Sequence, residues 1–337
     1  MLQVTVIGAG VAGLCCALEL AERGAAVEVL ERGAQLGAGS CSWFAGGMLA
    51  PWCELESSEP LIASLGEESL SWWRVRFPGT VRNGSLVVAH ARDAAELTQF
   101  ARRTARFEHV SGEAIAALEP ELRGRFARGL YFRDEGHLDP RAALTALAAR
   151  LGALGVHIRF GVGAADTPVR GRAVLDCTGL GAAPRLPGLR GVKGEMLLLR
   201  LPEISLQRPV RVLHPRLPVY VVPRGEGVFM VGATMIESAE ERHISARSML
   251  ELLSAAYALH PAFGEAQIIE IGTGVRAAFP DNLPRLRRDG ATLHVNGLYR
   301  HGFLLAPALA RRAAQVLLEG RHFPEVMDED CRQRRLA

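Results

Sequence analysis

The sequence predicts an α/β protein. A Rossmann-like dinucleotide-binding domain with a parallel sheet is expected to interleave with an α+β domain built on an antiparallel sheet. Three observations carry this. Residues 4–31 read VTVIGAGVAGLCCALELAERGAAVEVLE, a strand, a glycine turn, a helix and a second strand ending in an acid. Residues 173–181 read AVLDCTGLG, another apolar strand running into a turn of small residues, as for a second return to the same domain. Between them and the C-terminus the texture changes: from Gly194 the chain is β-rich (196–201, 219–222, 228–231 and 267–271) with one helix near 246–259. It then returns to parallel-strand texture at 292–298.

The opening stretch is the most informative. In Gly8-Ala9-Gly10-Val11-Ala12-Gly13, Gly8 permits the tight turn, Gly10 lets a pyrophosphate approach the backbone, and Gly13 lets helix and strand pack closely. The helix N-terminus offers N–H groups and a positive dipole end to phosphate. Glu31 follows Gly13 by 18 positions, near the spacing of about 20 expected of a ribose-binding carboxylate. Residues 11–23 form an amphipathic helix stopped by Gly24, and 25–30 a buried parallel strand. Residues 33–51, rich in Gly, Ala and Ser, read as a long loop able to lie against a flat ligand. Further helices are expected at 67–77, 94–106 and 113–118, and further strands at 84–89, 129–133 and 156–160. Asp139 as N-cap and Pro140 at the first helical position start a helix running to about 154. Residues 302–305 precede a last helix reaching about 318.

The totals exclude several classes. The 337 residues are 49% hydrophobic and 22% charged, ordinary for a globular chain of two domains. The net charge of 39 − 36 = +3 is too small to point to nucleic acid. Lys193 is the sole lysine, so a Schiff-base mechanism has one candidate. The six cysteines show no CxxC spacing and no companion histidines, which argues against a metal site. Without a charged leader or a bilayer-length apolar run, a cytoplasmic protein that does not enter a membrane is expected. HExxH, GxSxG and P-loop motifs are missing, and His137, His214 and His301 stand alone. A dinucleotide site without an acid–base cluster suggests redox chemistry in which the cofactor makes and breaks the bonds. Cys177 has nothing basic beside it in sequence and reads as a small core residue rather than a nucleophile.

Several stretches, spread from residue 4 to residue 310, resemble the D-amino-acid oxidase (DAO) family of FAD enzymes, in its glycine oxidase branch that serves thiamine biosynthesis. They are VIGAGVAGL with Glu31, SWFAGGMLAP, HLDPR, LDCTGLGA, LRGVKGEM, VYVVPRGEG, VGATM, GVRAAFPDNLP and GLYRHGFLLAPALA, in the family's order. The resemblance implies an FAD-binding domain at 1–82, 138–192 and 275–330, and a substrate-binding domain at 83–137 and 193–274. It implies noncovalent FAD held by the glycine turn, by Glu31 and Arg32, and by Ser40, Ala45, Gly46, Met48, Val162, Cys177, Thr178 and Gly179. Arg300, His301, Gly302, Phe303 and Leu304 complete that set, and the N–H groups at 302–305 would face the flavin pyrimidine edge to favour negative charge there. Arg276 would grip the substrate carboxylate, Tyr220 would donate to it, Arg300 would line the pocket mouth and Met235 would shape one wall.

The implied reaction is oxidative deamination of glycine, with sarcosine and small D-amino acids as further substrates. Hydride passes to flavin N5, oxygen is reduced to peroxide, and the imine or glyoxylate serves thiazole formation. A homo-oligomer, a tetramer by family habit, and a thiazole synthase partner are implied as well. Two positions depart from the pattern: Ala277 stands where proline commonly follows the arginine, and Pro218-Val219 where some relatives carry a histidine. Two other readings stay open. One is a flavin dehydrogenase passing electrons to a non-oxygen acceptor. The other is an NAD(P)-binding regulatory protein, with Arg32 reading a ribose phosphate.

Overall fold

The computed structural model describes residues 2–163, 173–214, 218–240 and 243–327. With strands numbered in chain order, one sheet runs β16 (Arg285–Asp289), β17 (Thr292–Asn296), β9 (Ala173–Asp176), β1 (Gln3–Ile7), β2 (Ala26–Glu31), β8 (His157–Phe160). All its pairings are parallel except β16 with β17. The second sheet runs β14 (Ile236–Glu237), β10 (Arg190–Arg200), β13 (Val228–Gly232), β12 (Val219–Gly225), β11 (Val210–Leu213), β4 (Ser85–Ala89), β6 (Arg128–Phe132), β5 (Glu108–Ser111), with β15 (Gln267–Ala278) added along β10. It is antiparallel apart from β4 with β11. A small pair, β3 (Met48–Leu49) with β7 (Gly136–His137), is separate from both sheets. The mixed architecture matches the expected class. Among the described residues no helix is long and apolar enough to cross a membrane.

Helix α1 (Val11–Glu22) follows β1, and α2 (Pro51–Glu54) and α3 (Pro60–Arg76) follow the small-residue loop. Then come α4 (Ala94–Arg103), α5 (Gly112–Leu118), α6 (Pro140–Ala153), α7 (Ala246–Leu259) and α8 (Gly302–Glu319). The Asp139 carboxylate caps α6 as expected, accepting the Ala142 N–H at 2.8 Å. Helices α1, α3 and α8 share the larger core, where Leu14, Leu18, Leu65, Trp73, Leu305 and Leu309 are all buried. Burying each such side chain contributes about 1.5–3 kcal/mol. Two indoles anchor the group: Trp73 donates to the Phe303 carbonyl at 2.8 Å and Trp72 to Glu19 at 2.5 Å. That fixes where the N-terminus of α8 points.

Several elements differ from expectation. Helix α3 starts at Pro60, a proline suited to the first helical position, rather than at residue 67, and it contains Gly66, where a Cβ would lie 2.8 Å from Leu304 Cδ1. Strand β15 continues to Ala278 because it pairs with β10 throughout. The expected boundaries at 192/193 and 274/275 fall inside these two strands. Residues 302–305 are the first turn of α8, not a lead-in. The short strands β5, β11 and β16 lack a readable period.

One buried carboxyl ties the layers. Glu135 accepts from the Trp52 and Cys53 N–H groups at 3.0 and 2.7 Å and from the Ser85 hydroxyl. Burial raises its pKa to about 7. The folded state therefore holds this proton more tightly than the unfolded chain, and stability falls as pH rises from about 4.5 to about 7. We predict that Glu135→Gln flattens this part of the Tm-versus-pH curve. The ionised form costs roughly 3 kcal/mol above pH 7, so the variant should melt higher than wild type at pH 8. An unchanged slope would show that Glu135 does not titrate there.

Candidate active site

The glycine turn is shaped by backbone contact. Gly8 has φ +99°, and a Cβ on it would lie 2.8 Å from the Cys177 carbonyl oxygen. A Cβ on Gly13 would run into the Gly8 carbonyl. At the end of β2, Glu31 accepts the Ala9 and Gly33 N–H groups at 2.7 and 2.8 Å, which holds its carboxylate in place. On the opposite lip Asp176 accepts from the Thr178 N–H and hydroxyl at 2.9 and 2.7 Å, shaping the Cys177–Gly179 turn. Between the lips lies a cleft of about 400 Å³. Gly8, Gly10, Val11, Ala12, Glu31, Arg32, Ser40, Val162, Cys177, Thr178 and Gly179 line it. Gly10 offers α1 no side-chain cap, and the first turn carries no acid, so its positive end opens on the cleft.

Past Ser42, Tyr299 and Gly302 the cleft leads to an inner chamber of about 100 Å³. Arg276, on β15, reaches it by crossing β10 over Gly194, where any Cβ would strike the guanidinium. Its Nη1 donates to the Thr234 carbonyl at 3.0 Å, and no carboxylate pairs with it among the described residues. Tyr220 lies beside it over Gly46, where a Cβ would be 2.7 Å from the ring. Burial pushes the Tyr220 phenol up, so it stays protonated. Arg224 holds the loop beneath by donating to the Gly46, Ala45 and Leu138 carbonyls at 2.8, 3.1 and 2.9 Å.

The far wall is an ion-pair cluster. Glu54 closes α2 and meets Arg211 Nη2 at 2.6 Å, Arg300 Nη2 at 2.7 Å and His301 Nδ1 at 3.5 Å. Burial opposes ionisation of Glu54, but the Arg300 and Arg211 guanidiniums outweigh it and hold the carboxyl well below the usual range. Burial drives His301 down to about 3, against the pull of Glu54, so the ring is neutral. It shares a hydrogen bond with the Ser58 hydroxyl at 3.2 Å.

Arg276, Tyr220, Arg300 and Met235 thus converge on one chamber with Ala45, Gly46, Met48, His301, Gly302, Phe303 and Leu304. Met235 is half exposed on its rim, its sulfur 3.6 Å from Arg300 Nη1. The Arg300 guanidinium is tied to Glu54 and donates to Ser57 at 2.6 Å. Ala9 and Gly13 sit behind the turn rather than on the cleft wall. Sequence reasoning missed Glu54, Arg211, Arg224 and Asp176. The one available signal was an arginine within the apolar run PVRVL, which marks a buried charge if that run is a strand.

The sequence matches the FAD dependent oxidoreductase (DAO) family over residues 3–316. The chain belongs to the DAO family of FAD-dependent oxidoreductases. A Rhizobium etli protein named for the thiamine biosynthesis oxidoreductase ThiO is 56% identical over 325 residues, covering 96% of this chain and 99% of its own. The Nostoc bifunctional protein ThiO/ThiG is 29% identical over 368 residues, covering 96% of this chain and 53% of its own. The crystal structure of glycine oxidase from Geobacillus kaustophilus superposes with a TM-score of 0.79 at 25% identity, covering 96% of this chain and 97% of that one.

Membership of the DAO family removes the NAD(P)-binding regulatory reading. The residues present fit FAD: a turn with no room for side chains, an acid-free helix end and a fixed carboxylate one strand away. Among the described residues no cluster could hold a metal ion. In this DAO-family chain Gly13→Val should push the Gly8 carbonyl into the cleft and leave the purified protein largely colourless. Visible absorbance of the folded variant checks this, and full flavin occupancy would contradict it.

Proposed function

We propose that this enzyme catalyses oxidative deamination of glycine, accepting sarcosine and small D-amino acids as well, and that its product serves thiazole formation in thiamine biosynthesis. The observation that carries this is Arg276, a guanidinium facing a small chamber and without an acidic partner among the described residues. A carboxylate is what such a fork accepts in bidentate fashion. The protonated Tyr220 phenol supplies a further donor to the same group. Two such contacts fix the Cα of an α-amino acid against the chamber wall. Met48, Phe303 and Leu304 restrict the space left for a side chain.

Bound in the cleft, FAD supplies a two-electron acceptor that oxygen can regenerate. Glu54 is engaged by two arginines, and burial drives the His301 pKa down to about 3, which leaves its neutral ring a weak base, so neither is set up to strip a proton from Cα. This favours loss of the Cα hydrogen with its electron pair from the neutral amine. The first turn of α8 carries no acid, which suits it to developing negative charge on a bound ring.

The relatives support the same assignment: one is named for thiamine biosynthesis, and the superposed structure is a glycine oxidase. The Nostoc fusion supports a thiazole synthase as partner, and a homo-oligomer is part of the proposal. A dehydrogenase would differ only in its acceptor, so peroxide formed stoichiometrically with glycine under air distinguishes the two. Arg276→Ala should lower kcat/KM for glycine about a hundredfold, roughly 3 kcal/mol, mainly through KM. Steady-state oxygen uptake reads this, and an unchanged kcat/KM would refute the carboxylate grip. Tyr220→Phe should cost about tenfold, in line with one lost hydrogen bond to a charged group.

A further inference from the structure

Two donors at the chamber rim share a weak acceptor. The Met235 sulfur lies 3.5 Å from the Tyr299 hydroxyl and 3.6 Å from Arg300 Nη1, and both donate to it. A thioether accepts hydrogen bonds poorly. The other arm of the Arg300 guanidinium is better served, with Nη2 on Glu54 and on the Ser57 hydroxyl. Tyr299 is turned toward the rim at φ +51°, a left-handed conformation uncommon for tyrosine, which the site rather than local preference maintains.

Met235 is also the methionine that solvent reaches. It is 51% exposed, whereas Met196 and Met230 are buried and Met48, Met249 and Met327 are partly buried. It stands on the chamber wall beside the passage that Tyr299 lines. An oxidant leaving the chamber past this rim meets an accessible thioether, the form that peroxides attack.

We propose that Met235 is a modification site, where hydrogen peroxide converts the thioether to the sulfoxide and the sulfoxide restricts entry to the chamber. In this step a sulfur lone pair takes one peroxide oxygen. The S–O bond forms as the O–O bond breaks, and sulfur is oxidised by two electrons. The departing hydroxide takes the proton of the transferred oxygen and leaves as water. The proposal rests on the oxidase reading for its supply of peroxide. The new oxygen is a strong acceptor placed between two donors that met only sulfur there, so Tyr299 and Arg300 close onto it. It also carries partial negative charge at the rim that a carboxylate passes on its way to Arg276. Both effects weaken substrate capture and leave the reacting centre untouched.

The test treats the FAD-loaded protein with hydrogen peroxide and maps methionine sulfoxide by peptide mass spectrometry. Met235 should be oxidised about tenfold faster than any other described methionine, in line with its exposure. Acetate, a non-reacting carboxylate, is then titrated while the visible flavin absorbance is followed. Its Kd should rise about fivefold on oxidation, the scale of one hydrogen bond. KM for glycine should rise in parallel while kcat holds, and a methionine sulfoxide reductase should restore both the thioether and the affinity. Met235→Leu, compared with its own untreated sample, should lose the peroxide response. Met235→Gln, which puts an amide oxygen near the place of the sulfoxide, should bind acetate more weakly with no peroxide added. Faster oxidation of Met48 or Met249, or an equal peroxide response in Met235→Leu, overturns the site. Peroxide release during glycine turnover with Met235 left intact sinks this proposal alone. Selective oxidation by added peroxide, with no peroxide formed from glycine in air, sinks the oxidase reading and keeps the modification site.

Discussion

Arg276 can lie across β10 only because residue 194 has no side chain. From that contact the rest of the chamber follows. The guanidinium rests on main-chain carbonyls rather than on an acid, so its charge stays available while its position is fixed. Tyr220 comes close because Gly46 lets the ring down onto the loop. The loop in turn is held by Arg224, which spends its donors on the Ala45, Gly46 and Leu138 carbonyls. Each step replaces a side chain by backbone contact, which is how a fold holds a charged group ready without neutralising it.

The second sheet supplies Arg276, Tyr220 and Arg211, and the helices supply the opposing wall. Helix α8 is clamped by α1 and α3, with the Trp73 indole bonded to Phe303 at its start. The same helix end presents Gly302, Phe303 and Leu304 to the chamber, and the turn before it brings Arg300 and His301. Glu54 links this wall to the sheet by meeting Arg300 on one side and Arg211 on the other. The neutral state of His301 follows first from its burial, with Glu54 pulling the other way and the neighbouring guanidiniums discouraging a further positive charge.

The nucleotide half of the molecule was legible because its constraints are local. Gly8 takes a positive φ that favours glycine, Gly13 must be glycine because the Gly8 carbonyl lies against it, and Glu31 arrives one strand later. The chamber was legible only through family resemblance, which brought in Arg276, Tyr220 and Arg300 but assigned nothing to their supports. Glu54 and Arg211 are 157 positions apart in sequence, one in a single helical turn and the other in a four-residue strand. Neither element is long enough to show a period, and arginine is so abundant here that one more in an apolar run draws no notice. Gly66 lies within helix α3, where its missing side chain makes room for Leu304 and belongs to the packing of α8.

Strand β15 alternates in a way that bears on both ligands. Val275 and Ala277 border the nucleotide cleft, while Arg276 between them turns into the chamber. A shift of this segment by a fraction of an ångström is felt on both sides at once. On the proposed placement of the amino acid, cofactor and substrate would meet the same three consecutive residues, and any free energy one gained from the other's presence would be returned in equal measure.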